Sequence, residues 1–546
     1  MKTTLLKAAC FTIAMLVFVT TLTACQAGST TGSTTSSAAS SGTSAAVTTT
    51  AGNAPVYPMK TDVKLTYWSE MNGNVSAKYT NAGETPFAKE LSKRTGIQVE
   101  YIHSTAKESF SLMLASNQLP DIVEYWWSSY PGGTAKALEE KVIISLNDIM
   151  EKDAPNYTKW LKDHPDIARQ IRWDDGSYVG FPFVNGDGRQ TFVGRGPLIR
   201  KDLLDKKGLG IPETVDDWYN ALLAFKSLGV KAPFTKAKGY LADFIARAYG
   251  IQLDADAWYI EDGKVVYGPV QPAYKDFLAT WHKWYDEGLI DPDIATVDAN
   301  IETAKMADGS AAATFNYVSR VYNYNKAAQE KIQGYNIVAA PFPVLKKGDA
   351  YEYSYISNLY SSSEVLTVIT GNCKHPEIAA RFLDYLWGEE GNILANWGIP
   401  DVTYTTGANK EPKYTDFLLK NPDGWTMSQV RGGYMRSYSS GPYVQDKRID
   451  IQTYVMPEQV TAVDMWSKNA SMKHLMPPIA RTAQENTEYA TIMSEVETYY
   501  KECLLKFMIG TMKLDEYDAY KAQMKNLKID RAIEIQQAAY NRYISK

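Results

Sequence analysis

The stretch Val63-Lys64-Leu65-Thr66-Tyr67-Trp68 exchanges apolar and polar residues at period two, the pattern of a half-buried β-strand. Downstream, Thr85-Pro86 caps and starts a helix that carries Phe87, Ala88 and Leu91 on one face and stops at Gly96. Pro just inside the start and Gly just past the end is the arrangement helix termini favour. A second strand runs from Ile97 to Ile102, and Pro120-Asp121-Ile122-Val123 enters a third from a turn. A β-α-β-β order predicts parallel pairing through crossover helices, and hence an α/β fold.

Farther along, Thr214 and Asp217 stand at capping-box spacing ahead of Trp218, Leu222 and Phe225, which recur at helical spacing up to Gly229. From Pro272 to Glu287, Tyr274, Phe277, Leu278, Trp281 and Tyr285 fill one helix face before Gly288, so Trp281 reads as packing. Between these helices, Glu261-Asp262-Gly263-Lys264 predicts a hairpin, because Asp-Gly accepts the positive φ angles of a tight turn.

Toward the amino end, Lys2 and Lys7 precede an apolar run from Ala8 to Leu22 that is short for a membrane span and reads as a signal-peptide core, residues 1–24. It ends in Leu22-Thr23-Ala24-Cys25, which resembles the lipobox at which bacterial lipoproteins are cleaved and acylated. Cys25 would then be the lipidated amino terminus of the mature chain. Residues 25–55 are almost entirely Ser, Thr, Ala and Gly, a composition that buries too little apolar surface to offset the entropy of ordering, and so a tether.

Beyond the tether the composition is globular, and about 490 residues are too many for a single core, which predicts two large lobes. Two cysteines, Cys373 and Cys503, remain in this body; neither has a nearby partner in sequence or metal-ligand spacing, and two buried thiols are expected rather than a disulfide. The net charge of -5 is spread without blocks and excludes a nucleic-acid footprint.

Several stretches together resemble the extracellular solute-binding proteins of family 1, in their long LipO-like lipoprotein branch. They are Leu91 to Val99, Leu119 to Ile122, Leu198 to Leu204 with Pro212 to Thr214, Asp262 to Val265 leading to Tyr285 to Pro292, and the tail from Asp515 to Tyr543. The resemblance implies a two-lobed periplasmic-binding-protein-like fold of type II, with a ligand cleft between discontinuous lobes. By analogy the amino-terminal lobe comprises 56–190 and 362–398, and the carboxy-terminal lobe 191–361 and 399–546. The apolar run Val365 to Ile369 then completes the first lobe as a strand buried on both faces, covered by a helix from Pro376 to Leu386.

The resemblance also implies capture of an oligosaccharide for an ABC importer, with membrane permease subunits and a cytoplasmic ATPase as partners. It places a monomer on the outer face of a cell membrane, of Gram-positive type. No cofactor is implied. Ligands in open α/β sheets lie beyond the carboxyl ends of the strands. Trp68 and Glu70 follow the first strand, and Tyr125, Trp126 and Trp127 follow the third. Flat aromatics beside hydrogen-bond formers suit a sugar, whose C–H faces stack while its hydroxyls take directed partners. Trp126 and Trp127 point opposite ways on an extended segment, so one of them faces the core. Phe183, Asn185, Asp187 and Arg189 lie at the first crossing between lobes, Asn316 and Tyr317 end a strand of the second lobe, and Trp397 lies at the last crossing.

Two other classes compete. A secreted glycoside hydrolase would share the export signal and the aromatics, but it needs two carboxylates flanking one bond. The neighbouring pairs Asp174-Asp175 and Glu389-Glu390 read as turn and helix-end charges, and no nucleophile elbow, phosphate loop or zinc motif occurs. A peptide or lipid receptor on the same scaffold is the second alternative. Some relatives hold calcium, but the loop near Asp187 lacks a full set of spaced oxygen ligands, and no metal is assigned.

Overall fold

The run from Val63 becomes β1 (Lys64–Ser69) in the computed structural model, which describes residues 55–103, 109–116, 118–186, 193–237, 243–253, 257–353, 365–407, 409–436, 441–468 and 470–546. The strands that organise the body follow in chain order as β2 (Gln98–His103), β3 (Ile122–Tyr125), β4 (Phe181–Pro182), β5 (Arg195–Arg200) and β6 (Ala232–Phe234). After them come β7 (Trp258–Glu261), β8 (Lys264–Tyr267), β9 (Ala311–Tyr317), β10 (Ile337–Ala339) and β11 (Leu366–Ile369).

As the β-α-β-β order requires, β1 pairs in parallel with both β2 and β3, Trp68 standing opposite Ile102 and Val123. β11 then inserts antiparallel between β3 and β4, giving a five-stranded sheet of order β2-β1-β3-β11-β4. All of β11 is buried, as a continuous apolar run in a sheet interior must be. The second sheet has the order β10-β5-β9-β6, with Arg195 of β5 opposite Tyr317 of β9.

Local signals act where the residues dictate. The Thr85 hydroxyl accepts from Ala88 N–H, and Gly96 ends that helix at φ 74°, where a Cβ would stand 2.2 Å from the Met59 carbonyl oxygen. Thr214 and Asp217 cap each other reciprocally. Asp262 and Gly263 turn the β7–β8 hairpin at φ 48° and 76°. In the helix Ala273–Asp286 Trp281 is core, while the buried face runs through Trp284; Tyr285 is half out, its hydroxyl reaching the Pro292 carbonyl at 3.4 Å.

Each sheet backs its own hydrophobic core: Leu65, Tyr67, Leu91, Ile122 and Phe382 belong to the first, Leu198, Trp218, Phe277 and Phe315 to the second. Every such side chain contributes about 1.5–3 kcal/mol by leaving water. Cys503 is buried in the second core, whereas Cys373 lies beside the first; neither is in a disulfide, and burial pushes the Cys373 thiol up to about 12.

The boundary expected at 398 is displaced. The described residues of 399–407, 409–436 and 441–452 stay with the first sheet: Trp397, Tyr414, Leu418, Val430, Met435 and Ile449 form a satellite core. Tyr443 and Val444 join the first core itself, and Val444 bridges to Val184 beyond β4. The chain meets the second core with Tyr454, packed against it, and enters it with Ala462. These aromatic-rich short helices bury their apolar sides against the nearest unfilled surface, which belongs to the first lobe.

Two features frame the body. Tyr57 donates its hydroxyl to the Arg381 carbonyl at 2.7 Å, and Met59 N–H to the Thr95 carbonyl at 2.8 Å, fastening the entering chain at the amino ends of β1 and β2. The last helix, Ile529–Ile544, begins in the second core and ends against the first lobe, where Arg542 and Lys546 both pair with Asp174 at 2.8 and 2.9 Å.

Asp384 carries a testable pH dependence. Its carboxylate accepts from Tyr157 N–H at 2.7 Å and from the Asn156 side chain at 2.9 Å, yet burial pushes its pKa up to about 6. A folded pKa above the unfolded value means the folded protein holds a proton that the unfolded chain has released. Its contribution is therefore complete below about pH 4 and lost as pH rises through 6. Relative to Asp384→Asn, the wild-type unfolding free energy is expected to fall by roughly 2 to 3 kcal/mol between pH 4 and 7 in urea titrations, and parallel profiles would contradict this.

Candidate functional site

The carboxyl ends of β1, β2 and β3 converge on a cavity of about 60 Å³ lined by Ser69, Glu70, Asn72, His103, Glu124 and Arg436 among others. His103 accepts the Ala82 N–H at Nε2 (2.9 Å), so its proton sits on Nδ1, 3.1 Å from the Ser69 carbonyl. Glu124 is buried and takes two contacts from Arg436 Nη2, at 2.7 and 2.5 Å, together with the Tyr67 hydroxyl. Burial and the adjacent carboxylate hold the Tyr67 phenol well above its ordinary pKa, so it remains a neutral donor. Burial lowers the pKa of Arg436, but Glu124 and the phenols of Tyr67 and Tyr101 raise it by more, and the guanidinium stays charged.

Beside this polar floor stands an aromatic platform. Tyr125 stacks on Phe110 with centroids 4.1 Å apart and meets Trp68 and Trp126 edge-on, each at 5.4 Å. Trp126 is 43% exposed and Trp127 only 1%; the two part not along an extended segment, as expected, but because β3 ends at Tyr125 and the chain turns into a 3-10 helix at Trp127. Trp126 is thus the ring available to a ligand, and Trp127 packs edge-on against Phe110 in the core.

Several residues expected at the ligand lie buried in the cores. β1 extends to Ser69, so Trp68 lies within the strand and points into the small core with Phe110 and Val123. Phe183 is buried against Tyr443. Trp397 is 1% exposed, and its indole N–H donates to Asp446 at 3.0 Å, because position 397 lies inside the satellite core. Asn316 is buried and spent: its Nδ2 donates to Glu302 at 2.6 Å and its Oδ1 accepts from Tyr317 N–H at 2.8 Å.

Glu70 is exposed and forms no hydrogen bond or ion pair among the described residues. Tyr317 is 53% exposed at the end of β9, with the Arg195 guanidinium 5.4 Å from its ring. Asn185 accepts from the Lys447 ammonium beyond β4. Asp187 and Arg189 lie outside the described residues. Glu70, Tyr125 and Trp126 therefore gather at the first sheet, Tyr317 stands at the second, and Asn185 lies at the crossing.

Two residues escaped sequence reading. Arg436 reaches Glu124 across 312 positions. Glu302, 1% exposed, holds Thr314, Asn316 and Tyr324 together at the end of β9. Neither has a local signature; only the packing of distant elements reveals them. No group of three or more His, Cys, Asp or Glu side chains suited to a metal occurs among the described residues, nor does any helix there have the length and apolarity to cross a membrane.

Two sheets with separate cores, joined by several crossings and presenting aromatic and polar groups at their strand ends, define a two-lobed binding protein. Residues 76–393 match the bacterial extracellular solute-binding proteins, and the chain belongs to that family. It is 23% identical over 486 residues to the fructooligosaccharide ABC transporter substrate-binding protein FusA of Streptococcus pneumoniae serotype 4, covering 83% of this chain and 86% of that one. To lipoprotein LipO of Bacillus subtilis it is 24% identical over 345 residues, 59% of this chain and 64% of that one. Among solved structures, the alginate-binding protein AlgQ2, determined without calcium ion, superposes with a TM-score of 0.69 at 23% identity, covering 89% of this chain and 99% of that one.

Proposed function

We propose that the protein captures an oligosaccharide between its lobes and delivers it to the permease subunits of an ABC importer powered by a cytoplasmic ATPase, without catalysis of its own. The observation that carries this is the half-exposed Trp126 on its Tyr125–Phe110 backing at the end of the first sheet, with unspent Glu70 at the same end and Tyr317 exposed at the end of the second sheet. Stacking surface with directed polar groups is what a hydroxylated ring requires. The carbohydrate names carried by FusA and AlgQ2 support the same class of ligand. In each adjacent pair of carboxylates at least one has other work, which supports a non-enzymatic role: Asp174 is paired with Arg542 and Lys546, Asp175 accepts from Ser177, and Glu390 accepts from Tyr385. In this reading the first lobe comprises 55–186 and 365–452, and the second 193–353 and 457–546.

A thermal-shift screen against fructo-oligosaccharides, alginate oligomers and milk oligosaccharides tests the ligand class, since ligand at a hundred times its Kd stabilises by about 2.7 kcal/mol. Shifts with peptides and none with glycans would overturn it. Trp126→Ala is expected to weaken glycan binding about thirtyfold, roughly 2 kcal/mol by calorimetry, with folding intact. Unchanged affinity would remove Trp126 from the site.

The protein is held as a monomer at the outer face of the membrane by a lipid on Cys25, and each acyl methylene adds about 0.8 kcal/mol of attachment. Cys25→Ser is expected to move it from the membrane pellet to the soluble fraction while glycan binding persists. Retention in the pellet would disprove the anchor.

A further inference from the structure

Away from the strand ends, the first lobe holds a cavity of about 540 Å³ between Trp160, the start of the helix Glu389–Trp397, and residues 444–448. Its size lies within the 300–1,000 Å³ of small-molecule sites. Its lining includes neither the residues around Trp126 nor Tyr317, so it is separate from the site proposed above. All of its described lining belongs to the first lobe and its satellite core, and occupying it requires no closure of the lobes.

Two indoles shape it. Trp160 stacks on His164 with centroids 4.2 Å apart and meets Trp387 edge-on at 5.1 Å, so both rings are fixed before any ligand arrives. Trp387 is only 6% exposed, and its indole N–H has no hydrogen-bond partner among the described residues. A buried donor left bare is costly, and here it belongs to a side chain that lines an open cavity. At the rim Glu389 is exposed and makes no hydrogen bond or ion pair among the described residues.

The other charges are already matched. Asp446 pairs with Arg448 at 2.6 Å, and Lys447 reaches Asn185 and Gln445. An anion would meet Glu389 and Asp446; a cation would meet Lys447 and Arg448. What fits is a neutral molecule with an apolar ring face for an indole, an acceptor for the Trp387 N–H and a donor for the Glu389 carboxylate. The geometry points to a second saccharide site in this cavity, independent of the interlobe site, taking a neutral sugar unit on the Trp160–Trp387 pair. The choice of a sugar rests on the reading under Proposed function.

Calorimetric titration of the full-length protein with kestose, a neutral milk oligosaccharide and nystose, each separately, tests this. At least one probe is expected to bind at two sites. Trp160→Ala and the exposed Glu389→Gln should each weaken one binding event at least tenfold and leave the other within twofold, while Trp126→Ala does the reverse. Binding at a single site that Trp126→Ala abolishes and Glu389→Gln leaves untouched overturns the second site and spares the carbohydrate reading. No binding of any probe by the wild type overturns both.

Discussion

Arg436→Ala is expected to lower the unfolding free energy by about 3–5 kcal/mol, the usual consequence of stranding a buried charge. Glu124 lies near the carboxyl end of β3 with 5% of its side chain accessible, and Arg436 is its only cationic partner among the described residues. The Tyr67 hydroxyl would remain as a neutral donor and cannot replace the lost charge. Replacing both partners, as Glu124→Gln with Arg436→Met, should recover most of the loss, because a buried pair is worth little more than well-packed neutral groups. Urea denaturation of the three variants decides it: a loss below about 1 kcal/mol for Arg436→Ala would mean that Glu124 is reached by water. The pair also fastens the satellite segment 399–452 to the strand ends, so the single variant should make that segment more open to protease than the double variant.

Trp397→Ala is expected to cost a similar amount, about 3–5 kcal/mol, through the cavity it leaves and the Asp446 acceptor it deprives. The folded fraction should bind glycans within twofold of wild type. Denaturation together with calorimetry below the melting transition separates the two effects. A large loss of affinity at unchanged stability would return Trp397 to the ligand site from which its burial removes it.

The contrast between Trp397 and Trp126 shows what the chain discloses locally and what it withholds. The pattern of β1, the Thr85 and Gly96 ends of one helix, the Thr214–Asp217 cap and the Asp262-Gly263 turn are each decided by residues within a few positions of one another, and all were legible. The same is true of β11, whose apolar residues Leu366, Val368 and Ile369 announce burial on both faces. Whether a tryptophan is wall or platform depends instead on what packs behind it. Trp126 and Trp127 differ only by one step along the backbone; Trp68 turned inward because its strand runs one residue farther than its pattern suggested. The fate of Trp397 was set by helices after position 412, whose destination no local signal fixes. Arg436 and Glu302, which organise the two strand ends, are joined to their partners by the fold alone.

The place where the described chain enters the body has a consequence for what can be altered there. Tyr57 and Met59 fasten it at the amino ends of β1 and β2, whereas Trp126 and Glu70 stand at the carboxyl ends, about 20 Å away along a six-residue strand. The full length of β1 lies between the two, so the contacts that seat the entering segment and the groups exposed at the strand ends share no side chain. Sequence can therefore vary at the entry without touching the aromatic platform.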